Sequence, residues 1–324
     1  NKKNLFMNSN LSGKKIAIFG GNGFIGSHLT SKLCEEACQI HIITRNPKKK
    51  RKFFFANDPG QVNFEKIDNY NQLNVTEKIK GCDIVFNLVG ILAENKNSNF
   101  NFVHEEIPHL IANGCKENKV RNFIHLSALN VNKISDSSYA KSKYKGELKL
   151  KESFPSSTIV RPSVVFGRGD NFTNFFSNLS KFSLFLPVIG TPEIEIKKNK
   201  FPKIDFRKKV KFQPIYVGDL VEFLISISNK KNKTYDLAGP FEKTFEQIFD
   251  IILKYKRRKR IYIPIPFFAA NLIAFFLEVL PNAPLTQDQV KLLKYNSVSK
   301  KGLQNLKQFV KTPLSLETVI KNYL

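Results

Sequence analysis

The 324-residue chain has no tryptophan, one methionine and four cysteines. Cys34, Cys38, Cys82 and Cys115 form no C-x-x-C pair and match no regular metal-ligand spacing, so no metal site is expected. So few thiols exclude a disulfide-stapled scaffold and fit a reduced, intracellular protein. Cys34 and Cys38, one helical turn apart, are read as two ordinary helix thiols. No apolar run reaches the ~20 residues of a spanning helix. The strongest stretch, Phe267 to Leu280, is shorter and carries Asn271 and Glu278. No secretory leader is expected from the polar, basic first residues. No internal repeat of ~20–50 residues is present. Acids are scarce: 27 Asp and Glu against 52 Lys and Arg, a net charge of +25. Such an excess points to an anionic partner, whether nucleic acid, an acidic membrane surface or an acidic subunit. Compositional drift in an AT-rich genome would give the same total. The hydrophobic fraction of 42% excludes a disordered tail.

What is present alternates. Lys15 to Gly20 reads as a buried strand, Phe24 to Glu36 as a helix and Gln39 to Ile43 as a strand. Strands follow at Val62 to Ile67, Asp83 to Leu88, Val120 to Leu126 and Thr158 to Val160, with helices at Ile107 to Glu117 and Asp136 to Lys151. Apolar strands alternating with helices predict an α/β fold with a doubly wound, parallel, Rossmann-type sheet. The nucleotide domain is expected over 14–170, with 212–240 returning to it. Residues 171–211, including a Lys-rich stretch from Thr191 to Lys211 read as a loop or a ragged hairpin, and 241–324, punctuated by prolines at 264, 266, 281, 284 and 313, are expected to form a smaller, mostly helical part.

The turn GGNGFIG, Gly20 to Gly26, directly follows the first strand and opens the first helix. Glycines at this spacing allow the tight turn, the approach of backbone to a diphosphate, and close packing of helix on strand. The helix N-terminus offers free N–H groups and the positive end of a dipole. At the end of the second strand, where an NAD site usually places an acid, stand Thr44 and Arg45. Arginine suits a 2′-phosphate, which favours NADPH, although a solvated strand-end Arg has the same sequence. Asp68 is a candidate for the adenine amino group, or opens an Asx turn.

Two Y-x-x-x-K pairs occur, Tyr139/Lys143 and Tyr255/Lys259. Only Tyr139 opens a helix just beyond the fifth strand, which runs into Ser127. Tyr139 and Lys143 share a helix face, so the ammonium is expected to lower the phenol pKa for proton exchange beside a nicotinamide. Ser127 could hold a substrate oxygen. The same groups could instead only grip the nicotinamide ribose.

Together with NLVG (Asn87 to Gly90), HLSAL, YAKSK, RPSVVFG and YVGDL, these residues resemble the short-chain dehydrogenase/reductase superfamily in its extended or atypical branch. FNLVGIL, FGRGDNF, FQPIYVGDL, YDLAGP and LPNAPLTQDQVKLL are similar to the nucleotide-binding accessory subunits of respiratory complex I. The resemblance runs from about Lys14 to the end; the glycine motif alone is generic, and the PLTQDQVKLL region is far more specific. It implies tightly held NADPH lined by Gly20, Gly23, Phe24, Ile25, Gly26, Thr44, Arg45, Asp68, Leu88, Val89, Gly90, Tyr139, Lys143 and Pro162. It also implies other complex I subunits as partners and a structural role rather than turnover. The place implied is peripheral, on the cytoplasmic face of a bacterial inner membrane or the matrix face of the mitochondrial one. The Lys-rich Thr191–Lys211 loop is longer than this family leads one to expect.

The basic run KYKRRKR, Lys254 to Arg260, adjoins the apolar stretch beginning at Ile261. That pattern fits an element on an anionic membrane surface, or the core of a small domain. A soluble NADP-dependent reductase, epimerase or dehydratase using Ser127, Tyr139 and Lys143 is the rival reading. Nucleic-acid binding ranks last, since no aromatic-interleaved RNA motif is present.

Overall fold

The computed structural model describes residues 11–47, 58–195, 203–205, 209–281 and 283–324. The basic run Lys48 to Lys52 and much of the Lys-rich loop lie outside them.

The six leading strands are β1 (Lys15–Phe19), β2 (Gln39–Thr44), β3 (Val62–Lys66), β4 (Ile84–Asn87), β5 (Asn122–Leu126) and β6 (Thr158–Pro162). Between them run α1 (Phe24–Leu33), α2 (Gln72–Ile79), α3 (Ile107–Glu117) and α4 (Ser138–Ser153). Beyond β6 come β7 (Val165–Phe166), α5 (Phe172–Phe182), β8 (Phe185–Ile189), β9 (Glu193–Glu195), β10 (Lys203–Asp205), β11 (Lys211–Phe212), β12 (Ile215–Tyr216), α6 (Val217–Ser226), β13 (Thr234–Leu237) and β14 (Lys243–Thr244). The chain closes with α7 (Phe245–Lys256), β15 (Ile261–Ile265), α8 (Phe267–Leu277), α9 (Gln287–Leu293), α10 (Lys300–Lys307) and α11 (Leu316–Val319).

Seven parallel strands form one sheet in the order β13-β6-β5-β4-β1-β2-β3. β1 and β4 are the point where the strand order reverses, and the crevice beyond their carboxyl ends is where such sheets bind ligands. β1, β4 and β5 are buried almost throughout, because helices cover both faces. One face packs Ile16, Ile18, Phe86 and Ile124 against α1 and α6. The other packs Ala17, Phe19, Val85 and Phe123 beneath α2 and α3. A separate core gathers around Phe176, Phe245, Phe249 and Leu186, all from segments expected to form the smaller part.

Several expectations need correction. β15 is a strand paired in parallel with β8, although Pro264 and Pro266 read as helix punctuation. Pro264 is tolerated because β15 pairs on one side only, in a two-stranded ladder. α2 and α5 were not expected. Leu306 and Val310 join the core under the main sheet, so 300–310 does not belong wholly to the smaller part. Cys34 caps the end of α1, and Cys38 lies beyond it, before β2; they do not share a helix face. Of the Lys-rich stretch, the described portion includes an antiparallel pair, β9 with β10, the hairpin alternative of its sequence reading.

Candidate nucleotide site

The site is built at the carboxyl ends of β1, β2, β4, β5 and β6. Gly20 has φ +81°, and a Cβ there would meet the Leu88 backbone at 3.0 Å. A Cβ on Gly26 would lie 2.3 Å from the Gly20 carbonyl oxygen and 2.6 Å from Gly21 Cα. The turn and α1 are therefore in direct backbone contact, as a diphosphate cradle requires. No side chain caps α1 and no acid stands in its first turn, leaving its amides for an external anion.

Asn22, not singled out from sequence, donates its Nδ2 to Thr44 Oγ1 at 3.2 Å and to the Asn46 carbonyl at 3.1 Å. It thereby ties the glycine turn to the end of β2. Arg45 is exposed and donates to Ser98 Oγ at 3.3 Å. Asp68 is also exposed, paired with Lys66 at 2.6 Å. Asn87 Oδ1 accepts from Val89 N at 3.1 Å, which shapes the Leu88–Gly90 turn beside β1.

Tyr139 and Lys143 are buried on α4. Lys143 donates Nζ to the Leu126 carbonyl at 3.3 Å, and a Cβ on Gly90 would stand 3.1 Å from that Nζ. Burial lowers the Lys143 pKa to about 8, with Glu147 opposing. The Tyr139 ring lies edge-on to Phe100 and His104, at 5.8 and 5.2 Å between centroids. Burial pushes its phenol up to about 12. The expected lowering of the phenol by Lys143 is thus not found, because desolvation dominates. Pro162 ends β6, and its carbonyl accepts from Leu129 N at 2.9 Å.

His104 belongs to a π-helical turn, Phe102–Glu106, a feature frequent at functional sites. Its Nε2 accepts from Ile91 N at 3.2 Å and its Nδ1 lies 2.9 Å from Ser142 Oγ, which donates to the Tyr139 carbonyl at 2.9 Å. Burial, then the charges of Lys143 and His125, lowers its pKa to about 2, so the ring is neutral and its Nδ1–H donates to Ser142.

The residues fit a dinucleotide. Asn22 Oδ1 in the glycine turn and Ser127 Oγ just after β5 are buried atoms without a hydrogen-bond partner, which a ligand would satisfy. Among the described residues no cluster suits a metal ion.

The depressed Lys143 pKa makes a stability prediction. Between pH ~8 and the ordinary 10.5, the unfolded chain holds this proton and the folded one does not. Stability of the nucleotide-free protein should therefore rise with pH across that window, by about 1.4 kcal/mol per unit at most. Thermal melts of wild type and Lys143→Met at pH 7 to 10 (a range about the shifted pKa) should show Lys143→Met the more stable at pH 7 and the gap closing as pH rises. A constant gap would contradict this.

Residues 20–171 match the family described as NAD(P)H-binding. The chain is 29% identical over 318 residues to the Mus musculus protein named NADH dehydrogenase (ubiquinone) 1 alpha subcomplex subunit 9, mitochondrial, covering 96% of this chain and 80% of that protein. It is 28% identical over 258 residues to the NADH-ubiquinone oxidoreductase 40 kDa subunit, mitochondrial, of Neurospora crassa, covering 79% and 64%. Among solved structures, the NADPH-dependent quinone oxidoreductase of Escherichia coli complexed with NADPH superposes with a TM-score of 0.70 at 17% identity, over 94% of this chain and 97% of that one.

Proposed function

We infer that this chain, a member of the short-chain dehydrogenase/reductase superfamily, is an accessory subunit of respiratory complex I that holds NADPH as a structural element. One observation carries the reading. The similarity to the mouse complex I subunit spans 96% of the chain, so it includes the smaller part as well as the generic nucleotide fold.

A nicotinamide nucleotide fits the glycine cradle. NADPH rather than NADH rests on Arg45 and Thr44 at the β2 end, where a 2′-phosphate would meet a guanidinium instead of a carboxylate. The amides of Gly20 to Gly26, with Phe24 and Ile25 opening α1, would hold the diphosphate. Asp68 would reach the adenine, Leu88, Val89, Gly90 and Pro162 would line the inner end, and Tyr139 and Lys143 would grip the nicotinamide ribose. A bound nicotinamide supplies hydride chemistry. The phenol of Tyr139, raised to about 12 by burial, is poorly suited to exchange the accompanying proton near neutral pH.

The smaller part supplies a docking face. On α8 only Ala270 and Ala274 are buried; Phe268 is 68% exposed, Phe276 66% and nearby Val279 84%. This argues against the domain-core reading of the stretch. Phe185 and Ile261, register partners on β8 and β15, are exposed as well. An apolar surface of this extent marks an interaction site. The adjoining basic run is partly internal: Arg258 and Arg260 donate to Ser177 and Ser180 carbonyls at the end of α5. Lys254, Arg257 and Lys259 are exposed and suit anionic headgroups. No helix among the described residues is long and apolar enough to cross a membrane. The reading therefore places the chain peripherally, on the matrix face of the mitochondrial inner membrane or the cytoplasmic face of a bacterial one.

Native electrophoresis of membrane extracts should find the chain co-migrating with the NADH:ubiquinone oxidoreductase, and Tyr139→Phe should leave that assembly unchanged. A free monomer that oxidises NADPH with a carbonyl or sugar-nucleotide substrate, and loses turnover ~100-fold or more in Tyr139→Phe, would support the soluble-reductase reading instead.

A further inference from the structure

The helix that carries Tyr139 and Lys143 is capped from outside its own domain. Asp288 of α9 accepts three hydrogen bonds at the start of α4: from Ser137 Oγ at 2.8 Å, Ser138 N at 2.7 Å and Tyr139 N at 3.0 Å. About 150 residues separate donor from acceptor. A carboxylate at a helix N-terminus meets orphan amides and the positive dipole end. Three further contacts seat α9 here. Gln289 Nε2 donates to the Leu92 carbonyl at 3.4 Å, just beyond the Leu88–Gly90 turn. Leu292 packs against the cluster of Val131, Ile134 and Ala140. At its other side, Gln287 N donates to Glu278 Oε1 at 2.7 Å, and Glu278 is the C-cap of the exposed apolar helix α8.

We propose that Asp288 is a positioning residue for the nucleotide, a latch through which the smaller part holds the Tyr139/Lys143 helix in register with the glycine turn. This rests on the reading that Tyr139 and Lys143 grip the nicotinamide ribose. Asp288 does not touch the nucleotide in this account. It fixes the backbone from which Tyr139 projects, so nucleotide affinity depends on an element that belongs to the docking half. By linkage, occupancy of the nucleotide site then strengthens the seating of α9 by the same factor.

The test uses the full-length chain, freed of nucleotide and titrated with NADPH, reading nicotinamide fluorescence for the Kd and a thermal melt for the nucleotide-free protein. Asp288→Ala should weaken NADPH binding about tenfold, within the range of inter-site coupling. Asp288→Asn, which keeps one acceptor oxygen, should fall between Ala and wild type. Glu278→Gln, which keeps an acceptor for Gln287, should bind as wild type does. A purely structural cap would lower the melting temperature in Asp288→Ala and leave the Kd unchanged, and that result overturns the proposal. Lys143→Met distinguishes the underlying reading: if it too binds NADPH as wild type does, the assignment of the ribose grip fails. If Lys143→Met binds weakly while Asp288→Ala does not, only the latch fails.

Discussion

Gly26→Ala should bring the protein out of purification without nucleotide. The added Cβ would stand 2.3 Å from the Gly20 carbonyl oxygen and 2.6 Å from Gly21 Cα. Both neighbours are backbone, so no side chain can rotate away, and α1 must lift from the turn. Overpacking of this kind costs about 1–3 kcal/mol of stability. The larger effect falls on binding. Each charge-assisted bond from an amide to a phosphate oxygen contributes about 1.5–3 kcal/mol. Displacing two of them should weaken NADPH binding ~100-fold or more. Fluorescence titration gives the Kd, and circular dichroism separates lost binding from lost fold. A variant that folds and binds within about threefold of wild type, or ~0.7 kcal/mol, would show that the cradle is not the anchoring element.

The second large effect is expected at Glu147, two turns beyond Tyr139 on α4. Its carboxylate receives Arg161 Nε at 2.9 Å and Nη2 at 2.5 Å, with side-chain exposures of only 3% and 13%. Arg161 projects from β6, so the pair bolts the Tyr/Lys helix to the sheet. Glu147→Ala leaves a guanidinium with only Asp236, at 3.8 Å. Breaking a buried pair from one side costs about 3–5 kcal/mol, a fall in melting temperature of about 10 °C for a domain of this size. Replacing both members by methionine should recover much of that loss, because the desolvation cost of the pair disappears with it. If Glu147→Ala melts within about 2 °C of wild type, a change under ~1 kcal/mol, the bolt is dispensable.

The sheet was legible because β1, β4 and β5 are short, continuously apolar runs that nothing but two covered faces would demand. GGNGFIG was legible because a strand and a helix flank it. What sequence reasoning missed is of three physical kinds. β15 carries Pro264, which reads as a breaker, and the one-sided pairing with β8 makes room for it. Tyr139 carries the right spacing to Lys143, but its pKa is decided by burial against Phe100 and His104, which lie far away in sequence. Asp288 and Arg258 act through long-range capping, on α4 and on α5. Nothing local marks such a residue, although Asp288 lies in the PLTQDQVKLL region, where the family resemblance is far more specific than in the glycine motif. Asn22 was findable: an amide side chain inside a glycine turn has few neighbours other than the adjoining strand end.

The account turns on a nicotinamide nucleotide held in place without being consumed. The most direct measurement is to purify the native protein with its complex, denature it, and quantify the released nucleotide per chain. The account predicts close to one NADPH per chain (a buried site saturated at working concentrations), still reduced after incubation with carbonyl and sugar-nucleotide substrates. A protein that emerges empty and cannot be loaded with NADPH or NADH would contradict it.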